Sequence, residues 1–584
     1  MTTNNMTIRL GGAAGDGVES NGAGLCLALA RGGLHVFGLP DYHSRIRGGH
    51  NFYSVRISDR PLYSHEEPVH LLLALNEETI HRHQDKIVEG GAIVYDSKLQ
   101  VPDFVGQDAI LPYNVWPVPL SDIAKEKAGT ELARNTVALG VAAGLTGFDP
   151  APIESVIRQN FAKKGQAVVD GNLAASEAGY QEGQKHAADF PFKLKTIPDA
   201  PPRMVLNGNQ AFAMGALAGG CRFVAGYPMT PGSPVLEWMA AHAADYGVVI
   251  AQVEDEIAAI NLIIGAGQAG VRAMAPTSGG GFSLMVEALG LAGMTEVPIV
   301  VYEAQRPGPS TGLATRTEQG DLWFVLRASQ GEFPRIVLAP GTIEQSFEAG
   351  WRAFNLAERY QCPVIVLSDH FLANAIRDVA PEALDFDTVT IDRGELLSQA
   401  ELDTLEGDYK RHAFTESGIS PRAIPGHPRA VYATSSDEHD EYGHIEEDAE
   451  NRRRMMDKRM RKLEAAVKEM RPPALYGPQD ADFTFVGWGS TYGPLREAVD
   501  RLNAQGKLAN MLHIVDVWPF PAQLTTPMLA AAKRVIAVEG NYSGQMADLI
   551  RMATGHQIAD RILKYDGRPL SPEYIVGKLD TDFH

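Results

Sequence analysis

Short apolar runs alternate with longer amphipathic stretches along most of the chain, the pattern of strands and helices taken in turn. The first such step is the strand-like Met6-Thr7-Ile8-Arg9-Leu10, then the small-residue loop Gly11-Gly12-Ala13-Ala14-Gly15-Asp16-Gly17, then a helical repeat through Leu25, Leu27 and Leu29. Further apolar runs at 71–75 and 92–95 extend this into an α/β domain over 1–190, and the proline-rich stretch 191–203 reads as a linker. A second α/β region over 204–375 carries apolar runs at 222–225, 248–253, 299–302 and 364–367. Runs of that continuity suit parallel strands covered by helices on both faces. From 376 to 475 the texture changes to an acidic stretch, Asp437-Glu438-His439-Asp440-Glu441, and a charged helix around 451–470. This segment reads as an insertion or linker. A third α/β domain over 476–584 follows, with strand-like runs at 483–486, 512–515 and 535–538. The expectation is a multi-domain α/β protein built on parallel sheets.

Length supports this division, since 584 residues exceed what one core holds, single cores ceasing to grow near ~250–300 residues. A net charge of −20 disfavours nucleic acid and anionic membrane surfaces as partners. No window approaches the ~18 uninterrupted apolar residues of a membrane span, and the N-terminal stretch lacks a signal pattern, so a cytoplasmic protein is expected. The three cysteines, Cys26, Cys221 and Cys362, are scattered. They suggest no disulfide framework and cannot ligate a cubane iron–sulfur cluster, so any cluster would belong to another chain.

The candidate chemistry lies in polar, glycine-rich loops that each follow an apolar run. The N-terminal loop around Gly15 has neither standard phosphate-binding spacing, and is either an anion cradle or a tight turn. Arg45 and Arg47, beside Gly48 and Gly49, form either a phosphate-binding loop or a solvated connection. In the second region the prolines of Tyr227-Pro228-Met229-Thr230-Pro231-Gly232-Ser233-Pro234 hold a stiff loop that presents the Thr230 and Ser233 hydroxyls to a substrate or cofactor. Next come Glu254-Asp255-Glu256, where a carboxylate is either a helix N-cap or something more, then Thr277-Ser278-Gly279-Gly280-Gly281-Phe282, then Gln305-Arg306-Pro307-Gly308. Loops at the carboxyl ends of parallel strands are where such folds assemble sites. Arg306, a cation in this set, suits a two-point grip on a carboxylate, the alternative being a surface salt bridge. His412, His427, His439 and His444 lie near carboxylates in the insertion, but their spacing matches no zinc motif. A solvated loop or a lid over the site is expected there, and no metal site.

Taken together these residues resemble the α subunits of 2-oxoglutarate and related 2-oxoacid:ferredoxin oxidoreductases, in the form with a γ-type domain fused at the N-terminus. The resemblance covers nearly the whole chain. It rests on GGAAGDG and RIRGGH in the first domain, and on GYPMTPGSP, QVEDEIAAINLIIGAG, TSGGGFSLM and QRPGPSTGLATRTEQGDL in the second. PRAIPGHP, DEHDEYGH, VEGNYSGQ and KYDGRPLSP carry it to the end. Ala314 and Gly280 stand where the pattern has proline, and Met229 and Gly232 also depart from it.

The resemblance implies a pyrimidine-side thiamine-diphosphate domain over 204–375 and a transketolase C-terminal-like domain over 476–584. Glu256 matches the catalytic glutamate, whose carboxyl bonds the aminopyrimidine nitrogen and favours the tautomer that takes the thiazolium proton. Thr230 and Arg306 match positions that hold the substrate's 1-carboxylate, while Tyr227, Pro228, Ser278 and Gly279 would line the cofactor. Gly15, Arg45 and Arg47 are candidates for coenzyme A. A β subunit would supply the pyrophosphate side, Mg2+ and a [4Fe-4S] cluster, ferredoxin would take the electrons, and the assembly would be an (αβ)2 heterotetramer. The implied reaction is 2-oxoglutarate, coenzyme A and oxidised ferredoxin to succinyl-CoA, CO2 and reduced ferredoxin, reversible toward CO2 fixation as in a reductive TCA cycle. Pyruvate or a branched-chain 2-oxoacid is the alternative substrate, another thiamine enzyme component the alternative activity, and a non-catalytic nucleotide-binding scaffold the distant one.

Overall fold

The computed structural model describes residues 2–43, 49–100 and 112–582, and divides into two compact units. Residues 1–207, 374–383 and 571–574 form the first. Its eight-stranded mixed sheet runs, from one edge, Asn114–Val118, Ile87–Asp96, Val69–Ala74, Asn5–Ala13, His50–Ser58, His35–Asp41, Ile376–Val379 and Met204–Leu206. Asn5–Ala13 pairs parallel with Val69–Ala74 and antiparallel with His50–Ser58. Sequence boundaries at 204 and 376 cut through this sheet, because the two short strands beyond them pair with each other and complete its edge. The pairing is tied down by Asp378, which accepts from the Val36 amide at 2.7 Å and from Arg203 at 3.0 Å. Such long-range pairing of three- and four-residue strands leaves no periodicity to read.

Residues 208–373, 384–570 and 575–584 form the second unit. Its seven-stranded sheet has the order Val249–Gln252, Phe223–Gly226, Ala273–Thr277, Ile299–Gln305, Pro363–Asp369, Ile336–Leu338 and Asp516–Trp518, all parallel except the last. The strands Ala273–Thr277, Ile299–Gln305 and Pro363–Asp369 are buried at every residue, as their unbroken apolar runs require. The apolar runs of the last third of the chain form a five-stranded sheet in the order Ala474–Tyr476, Ala509–Ile514, Phe483–Trp488, Val535–Glu539 and Asp560–Leu563. Asp516–Trp518 leaves that region to pair with Ile336–Leu338, and Arg352 grips Asp516 through two bonds of 2.6 Å.

The segment after 384 packs against the amino ends of the parallel strands. Arg411 donates to the Glu296 carbonyl at 2.7 Å and to Gln361 at 3.0 Å, while Arg393 and Arg422 reach the Gly270 and Gly267 carbonyls. Those groups precede the strands beginning at Ile299, Pro363 and Ala273. The expectation of a lid over the site is therefore corrected, and that of a solvated loop is corrected for His412 and His439, while His444 does lie in exposed chain. His412 and His439 are buried, and His427 and His444 lie nearer the surface. The cause is Glu296, fully buried and held by Lys458 at 2.6 Å, by Lys462 and by His412 at 3.0 Å. A buried carboxylate demands such partners. Burial acts to raise its pKa, but the two lysines and the imidazole outweigh that and hold it well below the usual value. Among the described residues no helix is long and apolar enough to cross a membrane, and no cluster of His, Cys, Asp and Glu suits a metal ion.

Candidate active site

Parallel pairing brings the carboxyl ends of five strands to one edge. The register aligns Gly226 with Gln252, Thr277 with Glu303, and Gln305 with Asp369. The loops read from sequence therefore leave the sheet side by side. Asp255 caps the helix Glu256–Gln268, its side chain accepting from the Ala258 amide at 2.7 Å. The cap role thus belongs to Asp255, and Glu256, the first helical residue, is left for something else.

Glu256 is 3% exposed, and its Oε1 finds no hydrogen-bond partner among the described residues. Burial pushes its pKa up, the helix amide opposes this, and the Asp255 charge adds to it. Burial thus works against the ionised carboxylate, the direction expected of a group that moves a proton during a reaction. Its surroundings are shaped by glycine: a Cβ at Gly281 would collide with Glu256 Oε1 and with Thr277 Oγ1, and a Cβ at Gly232 would collide with the Thr277 carbonyl. Gly232 thus lets the loop from Tyr227 to Pro234 settle on the strand end beside Glu256. Ser278 is fully buried with an unpartnered Oγ. An orphaned carboxyl, an orphaned hydroxyl and a glycine cradle together fit a planar ring carrying polar nitrogens, so these residues fit the aminopyrimidine part of thiamine diphosphate.

Arg306 and Thr230 are brought together, the guanidinium Nη1 donating to the Thr230 carbonyl at 2.7 Å. Arg306 is half-buried, and burial lowers its pKa while Asp321 acts in the opposite sense. The salt-bridge alternative for Arg306 finds no carboxylate at ion-pair distance among the described residues. Tyr227 and Pro228 are exposed on the same loop, and Gly279 lies against the Asp321 carboxylate. Sequence reasoning missed Glu303. It is fully buried in the strand Ile299–Gln305, neither of its oxygens meets a donor, and burial together with the neighbouring Asp321 pushes its pKa well up. The signal was a lone glutamate inside the apolar run Ile-Val-Val-Tyr-Glu-Ala-Gln.

In the first unit, Gly15 is exposed in the left-handed region at φ 97°, with open space where a Cβ would point. The loop's own Asp16 accepts from the Ala13 amide at 2.8 Å and pairs with Arg134 at 2.5 Å. A side-chain carboxylate thus takes one of the amides an external anion would use. Arg45 and Arg47 lie outside the described residues.

Fold and candidate site together define an α/β protein with a carboxyl-lined glycine cradle at the carboxyl ends of its parallel strands. Residues 214–458 match the family described as pyruvate flavodoxin/ferredoxin oxidoreductase, thiamine diphosphate-binding. Residues 7–182 match pyruvate ferredoxin/flavodoxin oxidoreductase, and 481–575 match pyruvate:ferredoxin oxidoreductase core domain II. The chain is 36% identical to the 2-oxoacid:ferredoxin oxidoreductase subunit alpha of a Sulfolobus species, over 96% of this chain and 94% of that one. It is 30% identical to the 2-oxoglutarate oxidoreductase subunit KorA of Mycobacterium tuberculosis, covering 94% and 87%. A solved structure, 2-oxoglutarate:ferredoxin oxidoreductase from Magnetococcus marinus with 2-oxoglutarate, coenzyme A and succinyl-CoA bound, superposes with a TM-score of 0.90 at 34% identity and covers 99% of both chains. The chain belongs to the α subunits of the 2-oxoacid:ferredoxin oxidoreductases.

Proposed function

We propose that this chain, as such an α subunit, supplies Glu256 to the aminopyrimidine of thiamine diphosphate and Arg306 and Thr230 to the carboxylate of a 2-oxoacid. The observation that carries this is the buried, unpartnered Glu256 carboxyl beside the Gly281 cradle. When bound, thiamine diphosphate provides the carbanion and electron-sink chemistry that decarboxylation of a 2-oxoacid requires. The protein's part is positional and acid–base. Glu256 holds and moves a proton at the ring nitrogen, Ser278 and Gly279 border the ring, and Tyr227 and Pro228 shape the loop beside it. Arg306 fixes the departing carboxylate, which leaves as neutral CO2, so its grip must orient without over-stabilising charge.

The reading extends to 2-oxoglutarate as substrate, coenzyme A as acyl acceptor and ferredoxin as the one-electron acceptor, giving succinyl-CoA, CO2 and reduced ferredoxin in a reversible reaction. The Mycobacterium relative named for 2-oxoglutarate and the bound ligands of the Magnetococcus structure support it. The three cysteines are buried and unpaired, so the [4Fe-4S] cluster, Mg2+ and the pyrophosphate side of the site are assigned to a β subunit in an (αβ)2 cytoplasmic complex. Gly15, Arg45 and Arg47 remain the candidates for coenzyme A in the N-terminal domain. The test is 2-oxoglutarate- and coenzyme A-dependent viologen reduction. The isolated chain is expected to be colourless and inactive, and the complex with its β subunit brown and active. A brown, active isolated chain would overturn the two-subunit reading.

A further inference from the structure

Glu303 is fully buried near the strand end, three residues before Arg306, with Thr277 and Leu367 as its neighbours across the two adjacent strands. No N–H or hydroxyl donor of the described residues reaches either oxygen. The group it does meet is the Asp321 carboxyl. Asp321 stands at the N-cap position of the helix Leu322–Arg327 but does not cap it. Its backbone amide is instead clamped by Gln305 Oε1 at 3.0 Å, and Gln305 is itself anchored on the Ser368 carbonyl at 3.0 Å. The carboxylate is thereby turned onto Gly279, where a Cβ would collide with Oδ2. Asp321 stands within electrostatic range of both Glu303 and Arg306.

Two carboxyl groups in contact, one of them fully buried, resist ionising together, and they bond only by sharing a proton. We propose that Glu303 and Asp321 share one proton and act as a positioning pair for Arg306, balancing its guanidinium with a single negative charge. The proposal rests on the reading that Arg306 holds the substrate carboxylate. The purpose follows from the reaction: an uncompensated arginine would bind the carboxylate tightly in the ground state and resist its loss as CO2. A doubly ionised pair would instead repel the incoming anion. The other charged or titratable groups facing the pair are Asp369, held by Thr317, Ser490 and the Leu372 amide, then Glu318, then the Tyr302 phenol. Burial raises Asp321 to about 6, with the Glu303 bond and Arg306 acting against that rise, and it moves Glu303 much further up. Both shifts run toward the protonated form, in keeping with one proton held between the two carboxyls.

Losing that proton places a second negative charge beside Arg306, so KM for the 2-oxoacid is expected to rise roughly tenfold or more on the alkaline side, with kcat less affected. Glu303→Gln retains a donor toward Asp321 but has no proton to lose. The experiment measures KM and kcat of the αβ complex against pH for wild type and Glu303→Gln, alongside the protonated-carboxyl stretch in the infrared difference spectrum of the two complexes at neutral pH. The expected result is a protonated-carboxyl band lost in Glu303→Gln, and an alkaline rise in KM that the variant abolishes. Absence of the band would overturn the shared proton, and an alkaline rise that persists in Glu303→Gln, or is missing from wild type, would overturn its coupling to Arg306. Arg306→Ala serves as the reference: an unchanged KM there would overturn the carboxylate reading itself, while the infrared band would still report the pair.

Discussion

Two adjacent glycines in the turn after Ser278 should respond in opposite ways to the same methyl group. Both lie in the first turn of the helix Gly279–Met294 with ordinary helical backbone, so alanine is favoured at either by up to ~1 kcal/mol of helix propensity. At Gly281 packing reverses this. The new Cβ would strike Glu256 Oε1 and Thr277 Oγ1 and come within 2.8 Å of Glu256 Cγ. Overpacking of this kind costs about 1–3 kcal/mol, which leaves a net loss of about 0–2 kcal/mol and a Tm lower by a few degrees at most. Activity should suffer far more. Glu256 can relieve the clash only by moving its carboxyl, and a misplacement of about 1 Å costs on the order of a hundredfold in rate. At Gly280 the nearest atoms to a Cβ are Met229 Sδ at 3.9 Å and Cε at 4.0 Å, so alanine has room. Proline, the residue the family resemblance leads one to expect there, is also tolerated in a first turn. Steady-state viologen reduction by the αβ complex, with thermal melts in parallel, separates the two. Gly281→Ala with full kcat, or Gly280→Ala as the more damaging change, would refute the placement of Glu256 against this turn.

Arg306→Ala should lower kcat/KM by about ten- to a hundredfold, the equivalent of a lost charge-assisted contact of about 1.5–3 kcal/mol, and Arg306→Lys should fall less; kinetics on the folded complex decide it. Glu296→Gln should destabilise the second unit by about 3–5 kcal/mol, because Lys458 and Lys462 would be left buried without their counter-ion, and chemical denaturation reads this directly. The pH dependence has a definite sign. Because the folded state holds Glu296 well below its ordinary 4.5, its contribution is present above that value and is lost as pH falls toward the depressed one. Wild type should therefore lose stability in acid more steeply than Glu296→Gln.

The parallel strands were legible because burial on both faces forces unbroken apolar runs such as those at 299–302 and 364–367. The grouping of the candidate site was legible for a related reason: chain direction alone puts every loop after a parallel strand at the same edge, where Thr230, Glu256, Ser278 and Arg306 all follow strands. What the loops do to one another was not legible. That Asp255 takes the cap and frees Glu256, or that Arg306 meets the Thr230 carbonyl, depends on side-chain directions that spacing does not encode. The segment after 384 was misread because its charge suggested solvent, whereas Lys458, Lys462 and Arg411 answer buried groups more than a hundred residues or fifty residues away in sequence. The short strand Ile376–Val379 carries no signal apart from its partners. Glu303, by contrast, was visible as a carboxylate in an apolar strand and could have been singled out on the cost of burying it.

The central claim is that the Glu256 carboxyl performs proton transfer at the cofactor, and Glu256→Gln in the αβ complex tests it most directly. The amide preserves shape and volume but cannot take part in acid–base chemistry, so kcat for 2-oxoglutarate oxidation is expected to fall by about 10²–10⁴-fold with an unchanged melting curve. Glu254→Gln, two residues earlier and outside the helix, should keep near wild-type turnover. Wild-type turnover in Glu256→Gln, or a larger loss in Glu254→Gln, would contradict the account.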